Sequence, residues 1–141
     1  TAVGNPFKDF DSKTVDGKDI RFSELVEKGK VTLLDFWASW CIPCIQESKE
    51  LKELYKTYHE KGFNIVSVSL DTDKQKWLHA IQKHDLPWIH ISTLKGFKDP
   101  GAIEYAVQAI PYVILIDRDG NIINQNQHGY ILHNAIKEQF K

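Results

Sequence analysis

The sequence is poor in sulfur: its 141 residues include no methionine and only two cysteines, Cys41 and Cys44. A disulfide-rich scaffold, which needs several cysteine pairs, is therefore excluded. No apolar run approaches the roughly 20 residues that a transmembrane helix requires. Neither sign of charge dominates, since the net charge is −1. We therefore predict no nucleic-acid partner.

The chain also lacks an initiator methionine and begins at Thr1. We interpret it as a processed product or an excised piece of a longer protein, from which any leader or anchor is already gone. Hydrophobic residues make up 42% of the chain and charged residues 26%, which is ordinary for a globular domain. The length predicts one domain spanning residues 1–141, and we expect it to be a monomer.

Two apolar, β-branched segments, 31–38 and 63–71, have the composition of strands buried on both faces of a parallel sheet. Between them, residues 44–60 have helical periodicity, and Gly62 follows as a helix-ending residue. Strand, helix and strand in this order predict a βαβ unit.

The rest of the chain adds elements around this unit. We expect a helix over 74–85, a short strand over 88–92, a weaker helix after Pro100 and a closing helix over 131–140. Residues 112–125 predict an antiparallel hairpin with its turn at "RDG", and another hairpin centred on Asp16-Gly17 precedes the core. The apolar residues expected in the weaker helix are Ile103, Tyr105, Ala106 and Val107. The pattern indicates an α/β fold with a central mixed sheet flanked by helices.

The two cysteines lie where a buried strand gives way to a helix. Backbone N–H groups and the helix dipole favour a thiolate at Cys41. Pro43 suits the first helical turn, and Cys44 comes one turn later, facing the core. We therefore expect an exposed attacking Cys41 and a less exposed resolving Cys44, the arrangement for thiol–disulfide exchange.

Other uses of the pair are less favoured by the sequence. A disulfide across so small a loop adds little stability. A structural zinc site needs four ligands, yet the histidines His79 and His84 lie on a separate predicted helix. Haem attachment would need histidine at position 45, where isoleucine stands. We predict a redox pair and no metal.

The segment "FWASWCIPC" closely resembles the thioredoxin superfamily active site, especially that of TlpA/ResA-like (AhpC/TSA-related) thiol–disulfide oxidoreductases. The lead-in "DFDSKTVDGKDIRFSEL", the later "AIPYVILIDRDGNII" and the closing helix extend the resemblance over nearly the whole chain. It implies a thioredoxin-like fold with an N-terminal extension (1–30) and a helical insertion region (72–109) between its βαβ and ββα halves.

The resemblance also implies a mechanism. Cys41 would be the nucleophile, Cys44 would resolve the mixed disulfide, and the two would form a disulfide when oxidised. It implies protein partners that carry thiols or disulfides, a membrane-bound thiol electron donor, an extracytoplasmic location and no cofactor. We expect a reducing couple, with a potential nearer to about −270 mV than to about −120 mV.

Residues around the pair are predicted to contact substrate. The resemblance implies a cis peptide bond between Ile110 and Pro111, with the Ile110 backbone pairing with the partner; a proline at a strand start would otherwise be unremarkable. Trp40, Ile42 and Pro43 adjoin the cysteines, and we expect Trp40 to be exposed.

Two carboxylates flank the cysteines. Asp35 lies inside a buried strand, where a charge is costly; it is either at the sheet edge with its head in water or, as in thioredoxin, buried and assisting proton transfer at Cys44. Glu47 falls among apolar positions of the predicted helix, one turn after Cys44. It either favours the helix dipole alone or, as the resemblance implies, tunes the thiols.

Two other functions remain as alternatives. A peroxiredoxin-type thiol peroxidase would have proline seven residues and threonine three residues before the reactive cysteine, where this chain has Leu34 and Ala38. A docking or copper-delivery domain would have three residues between its cysteines and an accompanying histidine. We therefore favour a thiol–disulfide oxidoreductase.

Overall fold

The computed structural model describes residues 3–141, so Thr1 and Ala2 of the predicted extension lie outside the described residues. In chain order the elements are β1 (Asp11–Lys13), β2 (Asp19–Arg21), β3 (Val31–Trp37), α1 (Ile42–Tyr58), β4 (Phe63–Ser69), α2 (Lys74–Lys83), β5 (Ile89–Ile91), α3 (Pro100–Glu104), β6 (Tyr112–Ile116), β7 (Ile122–Gln125) and α4 (Gly129–Glu138).

The central sheet has five strands in the order β5-β4-β3-β6-β7. Strand β4 runs parallel to β3 and β5, whereas β6 runs antiparallel to β3 and β7. Strands β1 and β2 form a separate antiparallel hairpin. The mixed sheet, the βαβ unit and both hairpins predicted from the sequence are confirmed.

Helix α1 connects β3 to β4 and carries the cysteine pair. Cys41 occupies its N-cap position, and Pro43 lies in the first turn, where its missing N–H leaves no helical bond unmade. After Tyr58 the chain tightens into a 3₁₀ turn that ends at Gly62. Gly62 has φ of 105°, a conformation that favours glycine and stops the helix there.

Strand β3 is the middle strand, and its alternating side chains supply two separate cores. Leu33 and Trp37 pack into the core that contains both cysteines and residues of α1, α2 and α4. Leu34 and Phe36 pack into the opposite core, together with residues of the N-terminal extension and α3. Asp35 has the same parity as Leu33 and Trp37, so it points to the face that carries the cysteines.

The N-terminal extension is held to the sheet by backbone hydrogen bonds. The amide of Gly4 donates to Ile122 O at 2.7 Å, and the amide of Ser92 donates to Lys13 O at 3.0 Å. Phe10 and Phe22 stack with their ring centroids 4.8 Å apart over the second core. The extension therefore covers one face of the sheet.

The region 72–109 contains helices and also the short strand predicted over 88–92. It contributes β5, an edge strand of the central sheet, as well as the helices α2 and α3. Helix α3 ends at Glu104, because Ala106 adopts the left-handed conformation with φ of 53°. Of the four apolar residues expected in this helix, Ile103 lies within it and is 65% exposed, whereas Tyr105, Ala106 and Val107 follow its end. Two tryptophans of the region, Trp77 and Trp88, are buried core residues.

Candidate active site

Cys41 and Cys44 form a disulfide at the start of α1, with their Cα atoms 5.3 Å apart. Cys41 Sγ also accepts a hydrogen bond from the Cys44 amide at 3.2 Å. This backbone donor and the positive end of the helix dipole both stabilise negative charge on Cys41 Sγ once the disulfide is reduced. The position therefore suits a nucleophilic thiolate.

The expected exposure of Cys41 was wrong for this disulfide form. Cys41 is 5% exposed and Cys44 4%, so the two are almost equally buried. The reason is that only three residues separate Cys41 from the end of the fully packed strand β3, and its sulfur is bonded to the buried Cys44. Exposed surface at the site comes instead from the neighbouring side chains of Trp40 and Ile42, which are 59% and 68% exposed. Pro43 is exposed as well.

The peptide bond between Ile110 and Pro111 is cis, as the resemblance implies. Ile110 packs against the buried cluster that contains Cys41 and Cys44, and Pro111 is half-buried at the entry to β6. The fold thus brings this segment to the face of the sheet that carries the disulfide.

Asp35 is buried within the central strand, and the sheet-edge interpretation is wrong. Ser67 Oγ donates to Asp35 Oδ2 at 2.7 Å, and the Trp88 indole N–H donates to Ser67 Oγ at 2.8 Å. Burial, aided by the charge of Glu47, raises the pKa of Asp35 to about 7, although the Ser67 hydrogen bond and the charge of His128 act to lower it. A carboxyl with this pKa can exchange a proton near neutral pH.

Glu47 faces inward, as the helical periodicity predicts, with its side chain 9% exposed. One carboxylate oxygen, Oε2, accepts a hydrogen bond from His128 Nδ1 at 2.6 Å. The other, Oε1, is buried and has no hydrogen-bond partner within residues 3–141. Glu47 therefore presents a buried carboxylate oxygen one helical turn after Cys44.

His128 is a site residue that the sequence did not single out. It occupies the N-cap of α4, and its Nε2 lies 2.7 Å from Asn126 Oδ1. Both ring nitrogens therefore face oxygen acceptors, which suits the protonated imidazolium. The Glu47 hydrogen bond raises the pKa of His128; partial burial opposes this, and the charges of Glu47 and Asp35 add to it.

Asp71 is a second residue that the sequence reasoning missed. It is 2% exposed and accepts hydrogen bonds from the Ser39 amide at 3.0 Å and from the hydroxyls of Ser39 and Ser69, each at 2.5 Å. These contacts fix the loop that contains Trp40 and leads to Cys41. The available signal was its position just after β4, because the carboxyl ends of parallel neighbours β3 and β4 meet at one sheet edge.

Comparison with known proteins agrees with this geometry. Residues 29–122 match the family model described as Thioredoxin-like. The chain belongs to the thioredoxin-like family. It is 32% identical over 139 residues to the thiol-disulfide oxidoreductase ResA of Bacillus cereus, covering 99% of this chain and 75% of that protein.

Solved structures of thioredoxin-like proteins superimpose on the fold. A thiol-disulfide oxidoreductase from Bacteroides fragilis matches with a TM-score of 0.85 and 32% identity, over 95% of this chain and 98% of that one. The thioredoxin domain of a Bacteroides vulgatus thiol-disulfide oxidoreductase matches with a TM-score of 0.84 and 28% identity, over 98% and 97%.

This thioredoxin-like protein is a thiol–disulfide oxidoreductase with Cys41 and Cys44 as its redox pair. Its family acts on proteins that carry thiols or disulfides. Within residues 3–141, no helix combines the length and the apolar character needed to cross a membrane.

Proposed function

We propose that this protein is an extracytoplasmic reductant of protein disulfides that works as a single-domain monomer. The observation that carries the proposal is the disulfide between Cys41, at the N-cap of α1, and Cys44, one helical turn before the inward-facing Glu47. The helix start stabilises a thiolate, and the nearby acids can hold or release the protons that the reaction moves.

The reaction conserves atoms and electrons in two exchanges. The Cys41 thiolate attacks one sulfur of a partner disulfide, a mixed disulfide forms, and the partner's other sulfur leaves as a thiolate that takes a proton. Cys44, as a thiolate, then attacks Cys41 Sγ and displaces the partner's second sulfur. Two electrons have passed to the partner, and the Cys41–Cys44 disulfide is regenerated.

Asp35 and Glu47 act on the protons of the second exchange. Cys44 is buried and must lose its proton before it attacks, so an acceptor within the protein speeds the step. Glu47 Oε1 has no hydrogen-bond partner among residues 3–141, and the pKa of Asp35 is about 7, so both can accept that proton. His128 positions Glu47 and is one-third exposed, which connects the buried acids to solvent.

The surroundings of the disulfide form the surface for the partner. Trp40, Ile42 and Pro43 border the cysteines, and the backbone at Ile110 beside cis Pro111 pairs with an extended partner segment. The oxidised protein then needs electrons from a donor. We place this role with a membrane-bound thiol carrier, by analogy with ResA-like proteins.

The proposal is tested by trapping and by activity. Cys44→Ala should accumulate mixed disulfides with partner proteins, whereas Cys41→Ala, the matched control, should accumulate none. Reduced wild-type protein should reduce insulin, with a redox potential nearer to about −270 mV than to about −120 mV. Consumption of peroxide without insulin reduction would contradict the proposal and favour a thiol peroxidase.

A further inference from the structure

A groove of about 260 Å³ lies beside Trp40, between the loop that leads to Cys41 and helix α2. Its walls are Trp40 on one side and three side chains of α2, Lys76, His79 and Lys83, on the other, with the buried Ala80 between them. The groove begins at the residue directly before the redox pair, so whatever binds in it lies next to the disulfide.

Helix geometry places the basic side chains of the groove in a row. Positions 76, 79 and 83 lie on one face of α2, since three, four and seven residues correspond to about one and two turns. All three side chains are exposed. Lys76 and Lys83 are seven residues apart, which is roughly 10 Å along the helix axis.

The positive charge of this row is not balanced by the protein itself. Within residues 3–141, no carboxylate lies within salt-bridge distance of Lys76 or Lys83. Asp73, at the start of α2, is engaged by backbone amides as the helix N-cap. The pKa of His84, at the end of the groove, is lowered by burial and in part by this positive charge. Burial lowers its pKa most, and the positive charges of its neighbours lower it further; these neighbours are Lys83, Lys49, His79 and Lys52.

We propose that this groove, formed by Trp40 and the row Lys76, His79 and Lys83, binds an acidic, extended segment of the redox partner. The inference rests on the proposed function and deepens it by naming the chemistry of the partner. Two carboxylates four residues apart in an extended strand point to the same face and are separated by roughly 13 Å, a distance that the two flexible lysine side chains can span. An apolar side chain of the same segment would pack on the exposed indole of Trp40.

A polypeptide is the occupant that the surroundings favour. The groove adjoins a disulfide that exchanges with proteins, and the whole chain has a net charge of −1, which opposes general binding to nucleic acid or to an anionic surface. Because the groove is positive while the net charge of the chain is only −1, the protein would select partners whose disulfide lies near acidic residues. It would attract them most at low salt.

Two synthetic peptides test the inference. Both contain the same intramolecular disulfide; one carries glutamates two and six residues from it, on one face of an extended segment, and the other carries glutamines there. Wild-type protein should reduce the acidic peptide with a kcat/KM about tenfold higher, mainly through KM, which is the effect of about 1.4 kcal/mol of binding. The preference should disappear at about 0.5 M salt, where screening is strong.

Matched variants decide the outcome. Lys76→Glu combined with Lys83→Glu should abolish or reverse the preference, whereas Lys28→Glu combined with Lys137→Glu changes the charge equally at exposed sites elsewhere and should preserve it. Both variants should reduce a small aromatic disulfide as wild type does. Equal loss in the two variants, or a preference that survives Lys76→Glu with Lys83→Glu, would overturn the inference. The inference would also be overturned if Lys76→Glu with Lys83→Glu lost binding to anionic vesicles but kept the wild-type peptide preference. If wild type reduced neither peptide, the proposed function itself would fail.

Discussion

His128 Nδ1 and Glu47 Oε2 lie 2.6 Å apart, although 81 residues separate them in the chain. The contact joins the N-terminus of α4 to the first turns of α1, the helix that begins at the redox pair. The His128 side chain is 34% exposed, and the Glu47 side chain is 9% exposed. A solvent-accessible imidazole therefore holds a buried carboxylate whose second oxygen has no hydrogen-bond partner in the described part of the chain.

Removal of the imidazole should slow the enzyme without unfolding it. His128→Ala frees Glu47 to change rotamer, so we expect insulin reduction at pH 7 to fall about three- to tenfold, a typical range for lost positioning of a proton-transfer group. His128→Asn retains an N–H donor near the position of Nδ1 and should recover most of the activity at that pH. Equal losses in both variants would contradict a positioning role and indicate that His128 titration itself is required.

The same pair predicts a pH-dependent contribution to stability. Glu47 raises the pKa of His128 in the folded protein above its ordinary value of 6.5. The stabilisation is therefore fully present below pH 6.5 and is lost as the pH rises through the raised pKa. We expect wild type to exceed His128→Asn in free energy of unfolding by about 1 kcal/mol at pH 5.5, a value kept small because solvent screens the half-exposed ring. The difference should vanish by pH 9 in urea unfolding curves.

Asp35→Asn should stabilise the protein at alkaline pH. Burial raises the pKa of Asp35 from 3.8 to about 7. Its contribution to stability is thus fully present below pH 3.8 and is lost as the pH rises through about 7, since ionisation of the folded protein is disfavoured. We expect the variant to gain about 2–4 kcal/mol over wild type at pH 8 and little at pH 4. Unfolding curves at the two pH values measure this gain.

Catalysis by Asp35→Asn should change in the opposite direction. The asparagine keeps an acceptor for Ser67 Oγ but cannot take a proton, so resolution by Cys44 should slow about tenfold or more at pH 7. Ser67→Ala is the control, because it removes the hydrogen bond and leaves the carboxyl. An unchanged rate of resolution in Asp35→Asn would remove Asp35 from the proton pathway.

Local sequence patterns predicted most of the fold, whereas long-range side-chain contacts escaped them. The apolar composition of β3 and the periodicity of α1 sufficed for the βαβ unit and for the inward direction of Glu47. The contact of Glu47 with His128 depends on how α4 docks onto α1, which no local pattern encodes. The exposure expected for Cys41 was wrong because position at a helix start does not determine how tightly the preceding loop packs.

Glu47→Gln should make the thiols more acidic. A carboxylate one turn from Cys44 opposes formation of a second negative charge, so its removal should lower the pKa values of the cysteines. Iodoacetamide alkylation of the reduced protein across pH should therefore shift to lower pH. Glu50→Gln, on the exposed face of the same helix, is the control and should leave the curve unchanged. An unshifted curve in Glu47→Gln would restrict Glu47 to an interaction with the helix dipole.

Asp71→Ala should impair both stability and activity, because Asp71 holds the loop before the redox pair. The substitution leaves the Ser39 amide and the Ser69 hydroxyl without their acceptor, and we expect a loss of about 2–4 kcal/mol in the free energy of unfolding. With the loop released, Trp40 no longer has a fixed place beside Cys41, so kcat/KM for insulin should also fall under conditions where the variant is fully folded.

Asp73→Ala provides the comparison for this change. Asp73 lies only two residues away but caps α2 at the surface, and its loss should cost about 1 kcal/mol. Its side chain accepts hydrogen bonds from the amides of Gln75 and Lys76 in its own helix, so activity should be retained. If the two variants lost stability and activity to the same extent, the buried contacts of Asp71 would not be what positions Trp40. A selective loss in Asp71→Ala would instead show that the carboxyl end of β4 supports the substrate side of the active site.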